Sequence, residues 1–347
     1  MRSFAWLLVF PICCFCETTL PKKSYIPSPK DYSPPLIEGY NAPSRVDVRA
    51  SWNMNFGGEF LFWIPKQHGL EFAVSNGTTS TSSIVGRKLE PDYDFKPGFS
   101  LSLGGYSDLD NWDVNLDYVW LHFKDRIATN APSGGALSMR WFAGSPNASQ
   151  ASSKWVFRFN QFDLEMGRSF FAGTKLSLRP FMGIRGIWFN QSYKIRAYIS
   201  DLSNQLKRSQ NKGKGWGLGP KVGANSLWNL GAGFTLRGKL ATFISYFKTR
   251  SKTKIDDVTT SLDTNAYNVK AIDRELLPGL DLTMGLAWGS YFSHYLWHIN
   301  LYADYTFQTY WQFNTMRALV DETLSTVGAS PGNLTLHGLR FGLRFDF

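Results

Sequence analysis

The sequence predicts an all-β protein: a transmembrane antiparallel β-barrel of about ten strands, within a range of 8–12, with long outer loops. Three observations predict this fold. From about residue 51 apolar and polar residues alternate with period two, as on a strand with two contrasting faces. Aromatic residues make up 16% of the chain, and charged residues make up 18%, below the roughly 25% of an ordinary soluble domain. The connections between the alternating segments are short and long in turn.

The N-terminus predicts export. Residues 1–16 form a predicted secretory signal peptide, because Arg2 precedes a short apolar run from Phe4 to Phe15. Residues 17–50 form a predicted Pro-rich periplasmic N-terminal spacer, since proline cannot donate a hydrogen bond to a β-ladder. All three cysteines lie in the predicted signal peptide, so we expect no disulfides in the mature chain. The outer-membrane β-barrel is predicted over residues 51–347.

The alternating segments are too long for a soluble β-sandwich. In Gly279–Gly289 large apolar side chains alternate with small or polar ones, and the same holds for Tyr295–Phe307. Many segments run for about 12–20 residues, whereas strands of globular proteins average about 5–6. About 9–11 residues of tilted strand cross a bilayer, and a closed barrel leaves no unpaired edge in lipid. The apolar face is therefore predicted to meet lipid and the polar face to line a lumen.

Loop lengths give the strand count. We predict ten strands, at residues 52–75, 97–106, 112–124, 152–168, 175–198, 213–228, 232–249, 273–290, 295–310 and 333–347. The tight connections are those at residues 107–111, 169–174, 229–231 and 291–294. Short periplasmic turns and long outer loops are typical of bacterial barrels, which places both termini in the periplasm. We interpret Pro65–Gly69 as a bend in the first strand and Gly186–Asn190 as a β-bulge, because the alternation slips there.

The last strand ends on an aromatic residue. Its final segment is similar to the C-terminal signal that the bacterial barrel-assembly machinery reads, in which a polar residue and a glycine precede hydrophobic residues at the third-last and last positions. The matching residues are Arg340, Gly342, Phe345 and Phe347. We therefore expect the assembly machinery as a partner, together with outer-membrane lipids and lipopolysaccharide.

Several stretches resemble the pore-forming major outer-membrane protein family typified by Legionella, which also has members in chlamydia-related bacteria. The matching stretches are Gly58–Trp63, Gly69–Ala73, Pro97–Phe99, Trp112–Val114, Tyr118–His122, Leu178–Gly186 with Gln191, Gly217–Gly223, Leu282–Trp288, and Gln308 near Trp311. Their order and spacing over about residues 50–347 carry the resemblance. It implies a porin-like barrel in the bacterial cell outer membrane. The chain departs from some envelope porins in having no mature cysteines for cross-links.

The sequence lacks the motifs of enzymes and cofactor sites. It contains no G-x-S-x-G elbow, no HExxH and no phosphate loop. His294 and His298 have helical spacing but lie in a predicted strand region, where they are some 13 Å apart. We therefore expect no enzyme, no cofactor and no metal site. The net charge of +10 is scattered along the chain, so nucleic acid is not an expected partner.

The polar face supplies seven basic and five acidic candidate lumen residues. They are Arg179, Arg185, Lys221, Arg237, Lys239, Arg340 and Arg344, and Asp113, Asp117, Asp281, Asp304 and Asp346. This near balance predicts a channel for passive diffusion of small hydrophilic solutes, with weak charge selectivity that slightly favours anions.

In the alternative interpretation the same residues form ion pairs that fill the barrel. The protein is then a surface structural barrel or adhesin that meets a host surface ligand through its long loops. The pattern does not distinguish a monomer from an oligomer.

Overall fold

The computed structural model describes residues 42–49, 52–77, 85–107, 111–200, 205–257, 265–324 and 331–347. The predicted signal peptide and most of the predicted spacer lie outside these residues. The elements in chain order are β1 (Met54–Gln67), β2 (Ala73–Asn76), β3 (Gly86–Leu89), β4 (Lys96–Tyr106), β5 (Trp112–Asn130), β6 (Ala136–Met139), β7 (Asn147–Arg168), β8 (Phe170–Phe171), β9 (Leu176–Ile199), β10 (Gln205–Gly231), β11 (Phe234–Asp257), β12 (Asn265–Phe292), β13 (Trp297–Asn314), α1 (Thr315–Thr323) and β14 (Gly332–Asp346). No helix in the described part of the chain is long and apolar enough to span a membrane.

Ten of these strands form a closed antiparallel barrel. Around the wall their order is β1, β4, β5, β7, β9, β10, β11, β12, β13 and β14. The wall closes because β1 pairs with β4 on one side and with β14 on the other. Each barrel strand overlaps one predicted strand, so the prediction of a ten-stranded barrel is confirmed.

The outward face of the wall is apolar, as the alternation predicts. Leu240, Leu276 and Met284 are 56%, 65% and 68% exposed, which suits side chains that face lipid. On β10 the outward Trp216 and Trp228 are twelve residues apart. At about 3.3 Å per residue and a tilt of about 40°, they bracket a band roughly 30 Å tall, close to the apolar thickness of a bilayer.

Two local predictions on the wall are wrong. The first strand does not bend and continue: β1 ends at Gln67, a turn follows with Gly69 at φ +80°, and β2 pairs with β3 and β6 beside the barrel mouth. The predicted bulge at Gly186–Asn190 is absent, since β9 keeps its register with both neighbours through that stretch. The alternation of apolar and polar residues is interrupted there because the inward residues change from charged to apolar. Arg185 and Ile187 are an example, and both are buried.

The tight turns and the C-terminus lie at one end of the barrel, which is the periplasmic end by the loop-length rule. Residues 42–49 lie against these turns. The Phe171 N–H donates to the Ala42 carbonyl at 2.9 Å, and the Arg49 N–H donates to the Tyr295 carbonyl at 2.8 Å. This last part of the predicted spacer is thus hydrogen-bonded to the barrel.

The barrel lumen as the candidate functional site

A buried ion-pair network crosses the middle of the lumen. Arg185 on β9 donates to both carboxylate oxygens of Asp163 on β7, at 2.7 Å each, and to Asp281 on β12. Lys221 on β10 reaches Asp163 at 2.7 Å and Glu165 at 2.8 Å. Short hydrogen bonds between opposite charges, made at two points as here, offset the cost of removing those charges from water. The network ties together strands from several sides of the wall.

Toward the periplasm the charged side chains are more exposed and border a polar cavity of about 240 Å³. Arg179 donates from Nε to Asp113 at 2.9 Å, and Arg237 lies 3.5 Å from Asp304. Small wall residues, including Ser102, Gly238 and Ala287, are among those that line this cavity.

Toward the outside the lumen is filled by aromatic side chains. Strands β7 and β13 are diametrically opposite in the ten-stranded wall, yet their rings meet across the lumen. Phe159 and Tyr310 have ring centroids 5.8 Å apart, and Phe157 and Phe313 have centroids 6.4 Å apart. The Tyr310 hydroxyl also donates to Gln161 at 2.6 Å. Side chains from opposite sides of the wall are thus in contact across the lumen at this level.

A bulge in β13 builds part of this layer. Its pairing with β14 shifts register between Tyr310 and Asn314, and Gln312 has a φ of +57°. A bulge re-aims the side chains that follow it, so Tyr310 and Phe313 both point inward and are at most 2% exposed. The bulge also delivers the chain directly into α1, whose N-cap is Asn314.

The helix α1 packs over the aromatic layer from the outer side. Met316 and Val320 are fully buried in the same apolar core as Phe313. The Thr315 hydroxyl lies 2.9 Å from that of Ser251 on the wall. The aromatic layer and α1 together are named the outer plug. Part of the plug thus belongs to a connection between strands rather than to the wall.

Tyr93, in the connection before β4, ties the rim of the mouth to β1. Its hydroxyl donates to the Gln67 carbonyl at 2.9 Å, and its ring meets Trp155 edge-on. Burial, with added repulsion from nearby carboxylates, raises the pKa of the Tyr93 phenol well above its usual value. The phenol therefore stays protonated and keeps this hydrogen bond.

The structure places all twelve candidate lumen residues inside the barrel. Nine line the cavity: Asp113, Asp117, Arg179, Arg237, Lys239, Asp304, Arg340, Arg344 and Asp346. The other three are buried above it: Arg185, Lys221 and Asp281. Most of them take part in ion pairs, while Asp117 has no ion-pair partner within the described residues.

Around the cavity and the central network, sequence reasoning missed three acids, Glu59, Asp163 and Glu165. Asp163 and Glu165 lie on the predicted strand 152–168, where the alternation itself places both on one face. With these three, eight acidic side chains meet the seven basic ones. The charge count on which a slight anion preference rested is therefore incomplete.

The residues of the predicted assembly signal split between the two faces of β14. Arg340 points inward and pairs with Glu59. Gly342 also faces inward, against the Tyr302 ring. Phe347 is 42% exposed on the outside, and its backbone closes the barrel by bonding to Met54 in both directions, at 3.0 and 3.2 Å.

Comparison with known proteins identifies the family. The sequence model of the family described as the Legionella pneumophila major outer membrane protein precursor matches residues 47–347. No curated protein matches the sequence. The chain belongs to this outer membrane protein family, and the protein is located in the bacterial outer membrane.

Three solved structures show distant similarity. The outer membrane protease OmpT from Escherichia coli has 10% identity and a TM-score of 0.42, covering 88% of this chain and 99% of that one. A Pseudomonas aeruginosa FadL homologue has 9% identity and a TM-score of 0.29, covering 85% and 89%. The P. putida toluene transporter TodX has 10% identity and a TM-score of 0.31, covering 86% and 91%. These likenesses are too distant to bear on the activity of this chain.

Proposed function

We propose that this member of the Legionella major outer membrane protein family is a porin-like channel for passive diffusion of small hydrophilic solutes, and that its outer plug holds the channel shut. The observation that carries the proposal is the division of the lumen. A charged cavity occupies the periplasmic half, and a plug built partly from α1 fills the outer half. Charged side chains that line water replace part of a solute's hydration, as a diffusion channel requires.

Opening requires α1 to leave the lumen together with Phe313, which precedes it on the chain and packs against the rings of Phe157, Phe189 and Phe247. The helix has nine residues, and five of them are buried: Thr315, Met316, Leu319, Val320 and Asp321. Its polar contacts to the rest of the barrel are made by side chains, as from Thr315 to Ser251 and from Arg317 to the Arg140 carbonyl at 3.1 Å, whereas the wall strands are held by continuous backbone ladders. Displacing α1 therefore leaves the barrel itself intact.

The test is the conductance of the refolded full chain in a planar lipid bilayer. We expect rare steps from the wild type. The double variant Met316→Asn and Val320→Asn buries two amides without partners, which favours displacement of α1, so steps should become frequent. The matched control is Glu322→Gln, an exposed position on the same helix, which should conduct like the wild type. A folded double variant that stays as silent as the wild type contradicts the channel proposal.

A second function is favoured by the contacts that fill the lumen. Arg185 and Lys221 are at most 1% exposed, and rings from opposite walls touch. These contacts suit a surface structural barrel or adhesin that acts through its outer loops without conducting. Silence of the plug variant together with retained attachment to host cells supports this second function.

A further inference from the structure

A basic surface lies on the outside of the barrel, near its outer end. The residues that define it, named the outer basic belt, are Arg126, Lys154, Lys194, Lys212, Lys252 and Lys270, which come from six successive strands of the wall. Their positions share the outward phase of their strands, the phase of the exposed Trp188 and Trp216. The belt is thus on the face that meets lipid, and the lumen network does not use it.

The register sets like charges directly opposite each other in the belt. Arg126 is the cross-strand partner of Lys154, and Lys154 is also the partner of Lys194. Lys212 is the partner of Lys252, which is also the partner of Lys270. Like charges directly opposite destabilise an antiparallel pair. An isolated barrel gains nothing from this arrangement, so the belt suits an external anion.

The protein itself supplies almost no negative charge to this face. Among the described residues of these six strands, the outward phase holds one acid, Asp256 at the outer end of β11. Asp256 already pairs with Lys254 at 3.0 Å. The belt is therefore left without a counter-charge from its own strands.

The depth of the belt matches lipid headgroups of the outer leaflet. Trp188 and Trp216 are cross-strand partners and mark the outer aromatic girdle of the wall. Lys214 and Lys212 follow two and four positions beyond Trp216, which is roughly 7 and 13 Å along the strand. Cations at this distance from the girdle reach the headgroup region and not the acyl chains.

Two grooves on this face are lined by cations. One, of about 280 Å³, is formed by Lys154, Arg158, Lys194 and Lys212 with neighbouring polar residues. The other, of about 440 Å³, adds Lys214, Lys248 and Arg250 beside Trp188 and Trp216. Neither groove contains an acidic residue. Lysine and arginine are strong phosphate ligands, and the tryptophans offer an apolar flank.

We propose that the outer basic belt binds the phosphate groups of an anionic glycolipid headgroup in the outer leaflet of the outer membrane. The inference needs the barrel to span the membrane, but it does not depend on whether the lumen conducts. Juxtamembrane cations contribute to anionic-lipid binding roughly additively. The two grooves would hold the separate phosphates of a bisphosphorylated lipid A disaccharide.

The experiment titrates labelled bisphosphorylated lipid A into the refolded full chain in neutral detergent and measures the apparent Kd. The triple variant Lys154→Gln, Lys194→Gln and Lys212→Gln should bind on the order of 100-fold more weakly, because each cation contributes a roughly fivefold change. The single variant Lys194→Gln should bind roughly fivefold more weakly, which keeps the test decisive if the triple variant misfolds.

The matched control removes three exposed cations elsewhere, by Arg87→Gln, Lys88→Gln and Lys175→Gln, and should leave the Kd unchanged. Equal weakening in this control, or none in the triple variant, overturns the proposal. Equal binding of dephosphorylated lipid A overturns the role of the phosphates. Displacement by inorganic phosphate at the same concentration as the lipid shows a free-anion site and overturns the lipid headgroup as its ligand.

Discussion

Arg185 and Asp163 are direct cross-strand partners, and the guanidinium of Arg185 donates hydrogen bonds to both oxygens of the Asp163 carboxylate, at 2.7 Å each. Both side chains are at most 5% exposed. This bidentate ion pair lies at the centre of the lumen, between the polar cavity and the outer plug. Lys221 and Asp281 complete its charge balance from the other side.

Replacing Arg185 with Gln should destabilise the barrel by about 3–5 kcal/mol, because the buried carboxylates of Asp163 and Asp281 both lose a cation and are left to share Lys221. The measurement is the urea midpoint of the refolded chain in detergent. Arg237→Gln is the matched control: its side chain is 29% exposed and 3.5 Å from Asp304, so it should cost about 1 kcal/mol. Equal losses of stability in both variants would show that the buried ion pair contributes no more to stability than the exposed one.

Gly342 should resist substitution for a packing reason. A Cβ at this position would lie 2.2 Å from the Tyr302 ring, whose hydroxyl donates to Glu59 at 2.7 Å. We expect Gly342→Ala to lower stability by about 1–3 kcal/mol through overpacking. The double variant Gly342→Ala with Tyr302→Ala should lose less than the sum of the two single variants. Simple additivity in urea unfolding would show that the glycine does not serve to admit the ring.

Phe347 should matter more for assembly in the cell than for the stability of the folded barrel. Its backbone bonds to Met54 do not involve the side chain and remain in an alanine variant, and its ring is 42% exposed. Phe347→Ala should therefore change the in vitro unfolding free energy by under about 1 kcal/mol. It should nevertheless reduce the amount recovered folded from outer membranes several-fold. Phe341→Ala, 49% exposed on the same face but outside the signal, is the control; an equal loss of recovery there would refute the signal.

The opened channel should favour cations weakly, because eight acids and seven bases surround the cavity and the central network. In the background of Met316→Asn and Val320→Asn, adding Asp117→Asn and Asp304→Asn should shift the permeability ratio toward anions by roughly twofold. The reversal potential in a KCl gradient measures this shift. Asp92→Asn with Asp94→Asn, two exposed loop positions, should have no effect. A shift of the same size in that control would place the selectivity outside the cavity.

Much of the wall could be predicted because strand periodicity is a local property. The run Lys248–Lys254 alternates outward cations with the buried Thr249, Ser251 and Thr253, and neighbouring residues suffice to assign both faces. The wrong prediction of a bulge at Gly186–Asn190 has the same origin, because it also used the local pattern alone. Inward Ile187 and Phe189 look like a lost phase until the aromatic layer that they join is known.

The sequence alone determined the number of strands, the face that each side chain occupies and the end of the barrel that carries long loops, because these follow from period-two alternation and the spacing of turns. Only the tertiary structure decided which inward residues meet. Gln161 and Tyr310 are 149 positions apart and bond across the lumen, since closure of the wall brings opposite strands within side-chain reach. The register of adjacent strands set like charges side by side on the outside, and closure of the wall formed the periplasmic cavity and the outer plug.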